Sequence, residues 1–285
     1  MIILVLIWAI GLNWIAYKKG FYHFHFLSEK KAPLITTGQI LSLFGLYIGI
    51  MILFTPYLAR TFFRMLHKAD PDATSLPITA LSGIQFTLMV VVFAVLAMTL
   101  YQVNRPSFFR VWKDKEHPRR RSPFFDFFLG VFTWLLSFPI VSVVSEVVDK
   151  FLQSAFGLKY YEQTAVKFVK AAMSSPLSLT FAILSILLLA PLVEEFLFRG
   201  GLQTFFKKRL GAKAAILLSS LCFALFHFSP SQGLGNIPLI VSLFILGGFL
   251  GFLYERQGSL WSSIGLHMTF NAISAFRIIL LPELL

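Results

Sequence analysis

The sequence has few charged residues and almost no cysteine. Only 13% of its 285 residues are Asp, Glu, Lys or Arg, about half of the ~25% that is usual in soluble chains. Apolar residues make up 57%, and the mean hydropathy is +0.77. A soluble domain this apolar could not cover its surface with polar groups, and a disordered chain requires low hydrophobicity. The composition therefore excludes both classes and indicates a protein that crosses a membrane several times.

Several catalytic motifs are also missing. The single cysteine, Cys222, excludes a disulfide framework and a zinc cluster made of cysteines. We interpret Cys222 as a small core residue, because it does not share a helical face with the nearby His227. The sequence has no HExxH motif and no GxSxG motif, and no Asp lies in an apolar segment in a GxGD context. These absences disfavour the corresponding zinc, serine and two-aspartate proteases.

Long apolar runs recur along the chain, and each has about the 20 residues that cross the hydrocarbon core of a bilayer. Because the runs are continuous and do not alternate, they favour helices over the strands of a β-barrel. They predict an all-α, polytopic membrane helix bundle with about eight transmembrane helices. The predicted spans are residues 1–17, 36–59, 78–101, 124–147, 177–205, 212–229, 237–254 and 260–280.

The charged residues between the spans predict the orientation of the chain. The connecting segments on one side carry 16 Lys and Arg, and those on the other side carry 7. The positive-inside rule then places the basic loop 102–123 in the cytoplasm and both termini on the opposite side. We attribute the net charge of +12 to this topology and to anionic lipids, and we expect no nucleic-acid partner, because no basic face remains once the spans are removed.

The two halves of the chain differ in their polar content. Residues 1–122 are predicted to form N-terminal transmembrane helices of unassigned role, and residues 123–285 a C-terminal bundle. Residues 150–172 mix apolar and basic side chains at helical spacing. They indicate either an interfacial helix lying on the membrane or an amphipathic loop helix packed on the bundle.

Ionisable and strongly polar side chains inside the spans cluster on three segments of the C-terminal half. Such groups are costly in a bilayer, so each one requires a partner or a function. They are Glu194, Glu195, Arg199, His227, His267 and Asn271. A purely structural role as hydrogen-bonding contacts between helices is the alternative for each of them.

Helical spacing separates the two glutamates. Glu195 and Arg199 are four residues apart and share a face, so they are expected to neutralise each other. Glu194 lies about 100° around the helix and is predicted to point elsewhere. A carboxylate there, within reach of a water molecule, suits a general base.

His267 and Asn271 are likewise four residues apart. Together, an imidazole and an amide can donate two hydrogen bonds to one oxygen, which is what an oxyanion hole requires. Glu194, His227 and His267 could alternatively bind zinc. We favour a mechanism without a metal, because an Asn beside His267 would partly duplicate the role of a Lewis acid.

Three motifs in this order resemble the CAAX protease and bacteriocin-processing (Rce1-like, or Abi) family. They are EExxxR at 194–199, FxxxH at 223–227 and HxxxN at 267–271, and the resemblance covers about residues 170–280. It implies a membrane-embedded endopeptidase acting on membrane-associated or lipidated CAAX-type substrates. Glu194 resembles the residue that activates water together with His227. Glu195 and Arg199 resemble the supporting pair.

The same resemblance implies that His267 and Asn271 form the oxyanion hole. It implies an integral protein of the cell (inner) membrane if the source is bacterial, or of the endoplasmic reticulum if it is eukaryotic. A non-catalytic immunity factor or scaffold that binds a hydrophobic peptide in the same cavity is the competing hypothesis. A transporter is disfavoured, because the sequence shows no internal repeat.

Overall fold

The computed structural model describes residues 2–23, 35–119, 121–157 and 163–281, and the described residues are mainly helical. The helices are α1 (Ile2–Lys18), α2 (Thr37–Gly49), α3 (Thr55–Ala69), α4 (Ile78–Val103), α5 (Arg105–Trp112), α6 (Pro123–Phe156), α7 (Thr164–Ala172), α8 (Pro176–Leu184), α9 (Ala190–Glu195), α10 (Thr204–Leu225), α11 (Asn236–Gln257) and α12 (Leu260–Leu280).

The prediction of an all-α membrane bundle is confirmed. In the described part of the chain, six helical stretches are long and apolar enough to cross a membrane, and Leu4–Lys18 forms a shorter apolar helix. One of the six, Pro176–Leu225, has 50 residues, more than twice the length of one span. It breaks at Gly211, whose φ of 81° lies in the left-handed region that favours glycine. Counting its two halves and the short helix gives eight segments, as predicted.

The boundaries differ from the predicted ones where helices continue beyond the apolar run. The second span ends in α3, which reaches Ala69. The predicted helix over 150–172 is divided, because α6 ends at Phe156 before Gly157 (φ 62°) and α7 starts at Thr164. Part of that prediction, residues 158–162, lies outside the described residues. Helix α7 buries Val169 and Ala172 and packs against α4, α8 and α12, so it is a helix packed on the bundle.

The segments predicted to be cytoplasmic meet at one end of the bundle. Lys113 Nζ contacts the buried Asp126 carboxylate at 2.6 Å, and Lys113 pairs with Ser259 in an isolated antiparallel bridge. His117 is buried over Gly258, where a Cβ would overlap the imidazole. We call this cluster the basic-end network. It ties the loop after α5 to the turn between α11 and α12.

Helix α12 is held against α6 by backbones in direct contact. A Cβ at Gly130 would overlap the carbonyl of Ser262, and a Cβ at Gly265 would overlap that of Phe127. Small residues allow this close approach of two helices in a membrane. Gly265 precedes His267 by two residues, so the contact fixes the depth and rotation of the helix that carries the histidine.

Candidate active site

The two adjacent glutamates lie on α9, between two segments with wider, π-helical turns, Ser185–Leu189 and Phe196–Gln203. Such turns occur frequently at functional sites. Pro191 accounts for the first of them, because it has no N–H and its ring crowds the preceding turn. In the π-helical register, the amide of Ala190 bonds to the carbonyl of Ser185. The next carbonyl, that of Ile186, would pair with residue 191, which has no hydrogen to donate.

Asn271 uses the carbonyl that the proline leaves unpaired. Its Nδ2 donates to Ile186 O at 2.9 Å. An amide nitrogen has two hydrogens, so this bond orients the side chain and occupies one of them. The contact also joins α12 to the segment that carries the glutamates. The position of Asn271 therefore depends on Pro191, eighty residues earlier in the chain.

Glu195 and Arg199 form an ion pair that is inaccessible to solvent. Arg199 Nη1 donates to Glu195 Oε1 at 3.0 Å, and both side chains are 0% exposed. The guanidinium also donates to Gly247 O at 3.2 Å and lies 4.4 Å from the ring centroid of Phe223. Arg199 thus joins the glutamate helix to α11 and α10, as well as balancing the charge of Glu195.

Glu195 also determines the orientation of His267. Its Oε1 lies 2.8 Å from His267 Nδ1. Because a carboxylate paired with arginine can only accept, Nδ1 is the donor in this bond. The other ring nitrogen, Nε2, is therefore directed away from Glu195. It carries a hydrogen only when the imidazole is doubly protonated.

Glu194 faces the two histidines. Its Oε2 lies 3.6 Å from His227 Nε2 and 3.8 Å from His267 Nε2. His227 is fixed through its other nitrogen, since Nδ1 lies 2.8 Å from Phe223 O. Both distances to Oε2 exceed hydrogen-bond length, and Oε2 is buried with no hydrogen-bond partner in the described part of the chain. Polar atoms separated in this way are suited to a bridging water.

The site also contains residues that the sequence motifs did not indicate. Tyr47, on α2, packs its ring 5.4 Å from that of Phe226 and interacts electrostatically with Glu194. Phe44 packs against Phe198 at the same centroid distance. The N-terminal half therefore forms part of the site. A lone tyrosine in an apolar span gives no signal of this, because tyrosine is common in membrane helices near the interface.

Two distances among the three atoms that could bind zinc are slightly longer than those between ligands of a tetrahedral zinc ion. Ligands at ~2.0–2.2 Å from a tetrahedral zinc ion lie about 3.4 Å from one another, whereas Glu194 Oε2 is 3.6 and 3.8 Å from the two imidazole nitrogens. Across the described ranges, no group of three or more His, Cys, Asp or Glu is arranged to hold a metal ion. Cys222 is half-buried and packs against the hydrophobic core.

Residues 176–273 match the family described as Type II CAAX prenyl endopeptidase, Rce1-like. The matched segment contains all six of the side chains described above, and the resemblance seen in the three motifs is confirmed over this segment. No curated protein and no solved structure matches the chain. The match is thus to a family of CAAX endopeptidases over about a third of the chain, and the six apolar helices indicate an integral, multi-pass membrane protein.

Proposed function

We propose that this protein is an intramembrane endopeptidase in which Glu194 activates the water that hydrolyses the peptide bond. The observation that carries the proposal is the convergence of Glu194 Oε2 with two imidazole Nε2 atoms at 3.6 and 3.8 Å. A water at this point can donate to one of the imidazoles while Glu194 accepts its other hydrogen. This is the geometry of a general base acting on water.

The reaction then balances with these residues alone. Glu194 takes a proton from water, and the water oxygen attacks the carbonyl carbon of the substrate. The electron pair of the C=O bond moves to the oxygen. The electron pair on the oxyanion then re-forms the C=O bond, the C–N bond breaks, and Glu194 returns the proton to the leaving nitrogen.

We assign stabilisation of the oxyanion to His267 and Asn271. The second N–H of Asn271 is not used by Ile186. His267 donates from Nε2 when both of its ring nitrogens carry a hydrogen. Donors fixed beforehand in a poorly hydrated site stabilise developing charge most effectively.

The proposed role of Glu194 as the general base is tested by a substitution that keeps the volume of its side chain. Glu194→Gln should reach normal membrane levels and lose at least about 100-fold in turnover, the usual contribution of a general base. Purified protein in liposomes with a library of membrane-anchored peptides gives the rate. Glu116→Gln changes an exposed glutamate that is distant from Glu194 in the sequence, and this control variant should keep full activity.

Two results would overturn this assignment. Full turnover by Glu194→Gln would show that another group is the base. A wild-type protein that binds hydrophobic peptides and cleaves none would support the non-catalytic immunity factor or scaffold. The proposed substrates are membrane-associated or lipidated peptides, which agrees with the family match and the six apolar helices.

We propose that the reaction needs no metal, with zinc as the alternative. The hydrogen-bond donors at Asn271 and His267, which would partly duplicate the role of a Lewis acid, support this. After treatment with a strong chelator, and with metal content measured by elemental analysis, activity should persist. Activity that disappears and returns with one equivalent of zinc would make Glu194, His227 and His267 ligands.

A further inference from the structure

A second polar cavity lies at the end of the bundle opposite the basic-end network. It has a volume of about 520 Å³ and lies between the C-terminal ends of α6 and α12 and the turn that follows α10. Its walls include Asp149, Gln232 and Arg277, and none of the six candidate site residues lines it. It is therefore a separate space from the one around Glu194.

The length of α6 places this cavity at the level of the lipid headgroups. Asp126, in the basic-end network, and Asp149, in the cavity, are 23 residues apart on this helix, which corresponds to about 35 Å at 1.5 Å per residue. The hydrocarbon core of a bilayer is about 30 Å thick. Helix α6 therefore carries one carboxylate to each edge of the hydrocarbon, and the cavity lies at the second edge.

The helix surfaces beside the cavity are apolar and exposed. Phe151 on α6 is 64% exposed, and Phe276 and Leu280 on α12 are 58% and 57% exposed. In a membrane-spanning bundle, exposed apolar surface of this kind faces the acyl chains of lipids. A molecule with a polar head and acyl chains can place its head in the cavity and its chains along this surface. A membrane lipid fits this arrangement better than a soluble molecule does.

Gln232 in this cavity is a buried amide with an unused acceptor. The residue is 5% exposed, and its Oε1 has no hydrogen-bond partner among the described residues. Buried amide groups are almost always hydrogen-bonded, and an exception calls for an explanation. A ligand in the cavity that carries N–H groups would satisfy Oε1.

The cavity also contains one cation and one anion that do not pair with each other. In the described ranges, neither the Arg277 guanidinium nor the Asp149 carboxylate makes an ion pair, whereas Glu146, one turn before Asp149, pairs with Lys150 at 3.0 Å. A guanidinium presents its N–H groups in a fork that matches a phosphate. A carboxylate is the corresponding acceptor for an ammonium group. The cavity therefore suits a ligand that carries both a phosphate and an amine.

We propose that this cavity binds the phosphoethanolamine headgroup of a phospholipid. Arg277 pairs with the phosphate, and the ammonium group donates its N–H groups to Asp149 and to Gln232 Oε1. A choline headgroup has the same charges but no N–H, and a glycerol headgroup has no positive charge. The three side chains thus select ethanolamine over both. This inference goes beyond the proposed function, since lipid binding at this site does not depend on whether a peptide is cleaved.

Headgroup selectivity is measured on the full chain in detergent, after copurified lipid has been removed. Native mass spectrometry with dioleoyl phosphatidylethanolamine, phosphatidylcholine and phosphatidylglycerol gives the Kd of the tightest site for each lipid. We expect the Kd for the ethanolamine lipid to be about tenfold lower than for the other two, the effect of one charge-assisted hydrogen bond. Soluble glycerophosphoethanolamine should bind at least about tenfold more weakly than the lipid, because it has no acyl chains to bury.

Substitutions separate the two ends of the headgroup. Arg277→Gln should raise the Kd of all three lipids, because each has a phosphate. Gln232→Met keeps the length of the side chain and removes the acceptor, so it should reduce the preference for ethanolamine over choline, and the double variant with Asp149→Asn should abolish it. Arg64→Gln, at an exposed arginine on α3, is the control and should leave every Kd unchanged. Melting temperatures in detergent without lipid show which variants are folded.

Equal Kd values of the three lipids for the wild-type protein would overturn the proposal, and this result requires no variant to fold. So would a preference for ethanolamine that survives the double variant of Gln232 and Asp149, or an unchanged set of Kd values in Arg277→Gln. If soluble glycerophosphoethanolamine binds as tightly as the lipid, the cavity takes a soluble molecule, and the assignment to a membrane lipid is wrong.

Discussion

At the scale of single residues, Arg199 holds the candidate site together. It pairs with the buried Glu195 at 3.0 Å, stacks on Phe223 and donates to the backbone of α11. Removing one partner of a buried pair costs about 3–5 kcal/mol in soluble proteins, because the other charge is left uncompensated. We therefore expect Arg199→Ala to lower the amount of folded protein in the membrane.

Quantitative blotting of membranes, and melting temperatures in detergent, measure this effect. Arg199→Lys keeps the charge and loses the planar fork, so its melting temperature should lie between those of the wild-type protein and Arg199→Ala. Arg209→Ala provides the control. Arg209 lies on α10 and is exposed, and substitutions of exposed residues usually change stability by about 0.5 kcal/mol or less. Equal levels of Arg199→Ala and Arg209→Ala would refute the structural role.

At the scale of secondary-structure elements, the loop after α5 is attached to the bundle through a histidine. His117 is 3% exposed. Its Nε2 lies 3.2 Å from Glu255 O, and its Nδ1 accepts from Arg119 N. Burial lowers the pKa of His117, with Lys113 and Lys207 adding to the effect, while the Glu255 carbonyl and Asp114 act against it. The folded protein therefore holds this imidazole neutral.

The lowered pKa of His117 makes the stability of the protein decrease as the pH falls into the acidic range. Because the pKa in the folded state lies below the unfolded value of ~6.5, the unfolded chain binds the proton first as the pH falls. Stability from this group is complete above about pH 6.5 and is lost below it. Melting temperatures from pH 7.5 to 5 should fall for the wild-type protein and fall less for His117→Gln. His67→Gln, at an exposed histidine, should follow the wild type, and an unchanged slope in His117→Gln would contradict the prediction.

Sequence alone could predict the features that depend on a single helix, but not the contacts between helices. Spans are read from runs of about 20 apolar residues, and the Glu195–Arg199 pair from spacing, because both depend on one helix only. The contacts of Asn271 with Ile186 and of Tyr47 with Phe226 depend on which helices become neighbours. The periodicity of a sequence does not predict which helices pack together. The π-helical turn that precedes the glutamates has a local cause in Pro191, whereas the one that follows them has no such signal in the sequence.

At the scale of the whole molecule, helices of the N-terminal half, whose role the sequence left unassigned, pack against the candidate site. Phe44 and Tyr47 of α2 pack on the ring of Phe226, which precedes His227. Helix α4 packs along α8. The family match begins at residue 176, yet Tyr47, which interacts electrostatically with Glu194, comes from earlier in the chain. The matched segment therefore contains all six candidate site residues, whereas Phe44 and Tyr47, which pack beside them, lie outside it.

The orientation of the whole bundle is the remaining prediction, and the structure shows where to place its reporters. The basic-end network joins segments that the charge count assigns to the cytoplasm. Ser107 in this region is buried and would label poorly, whereas Lys115 is exposed, as is Asp72 at the other end. In a background with Cys222→Ala, Asp72→Cys should react with a membrane-impermeant maleimide in intact cells. Lys115→Cys should react only after the membrane is permeabilised. Labelling of both from the same side would break the eight-span order, and the reverse pattern would invert the orientation that the charge count predicts.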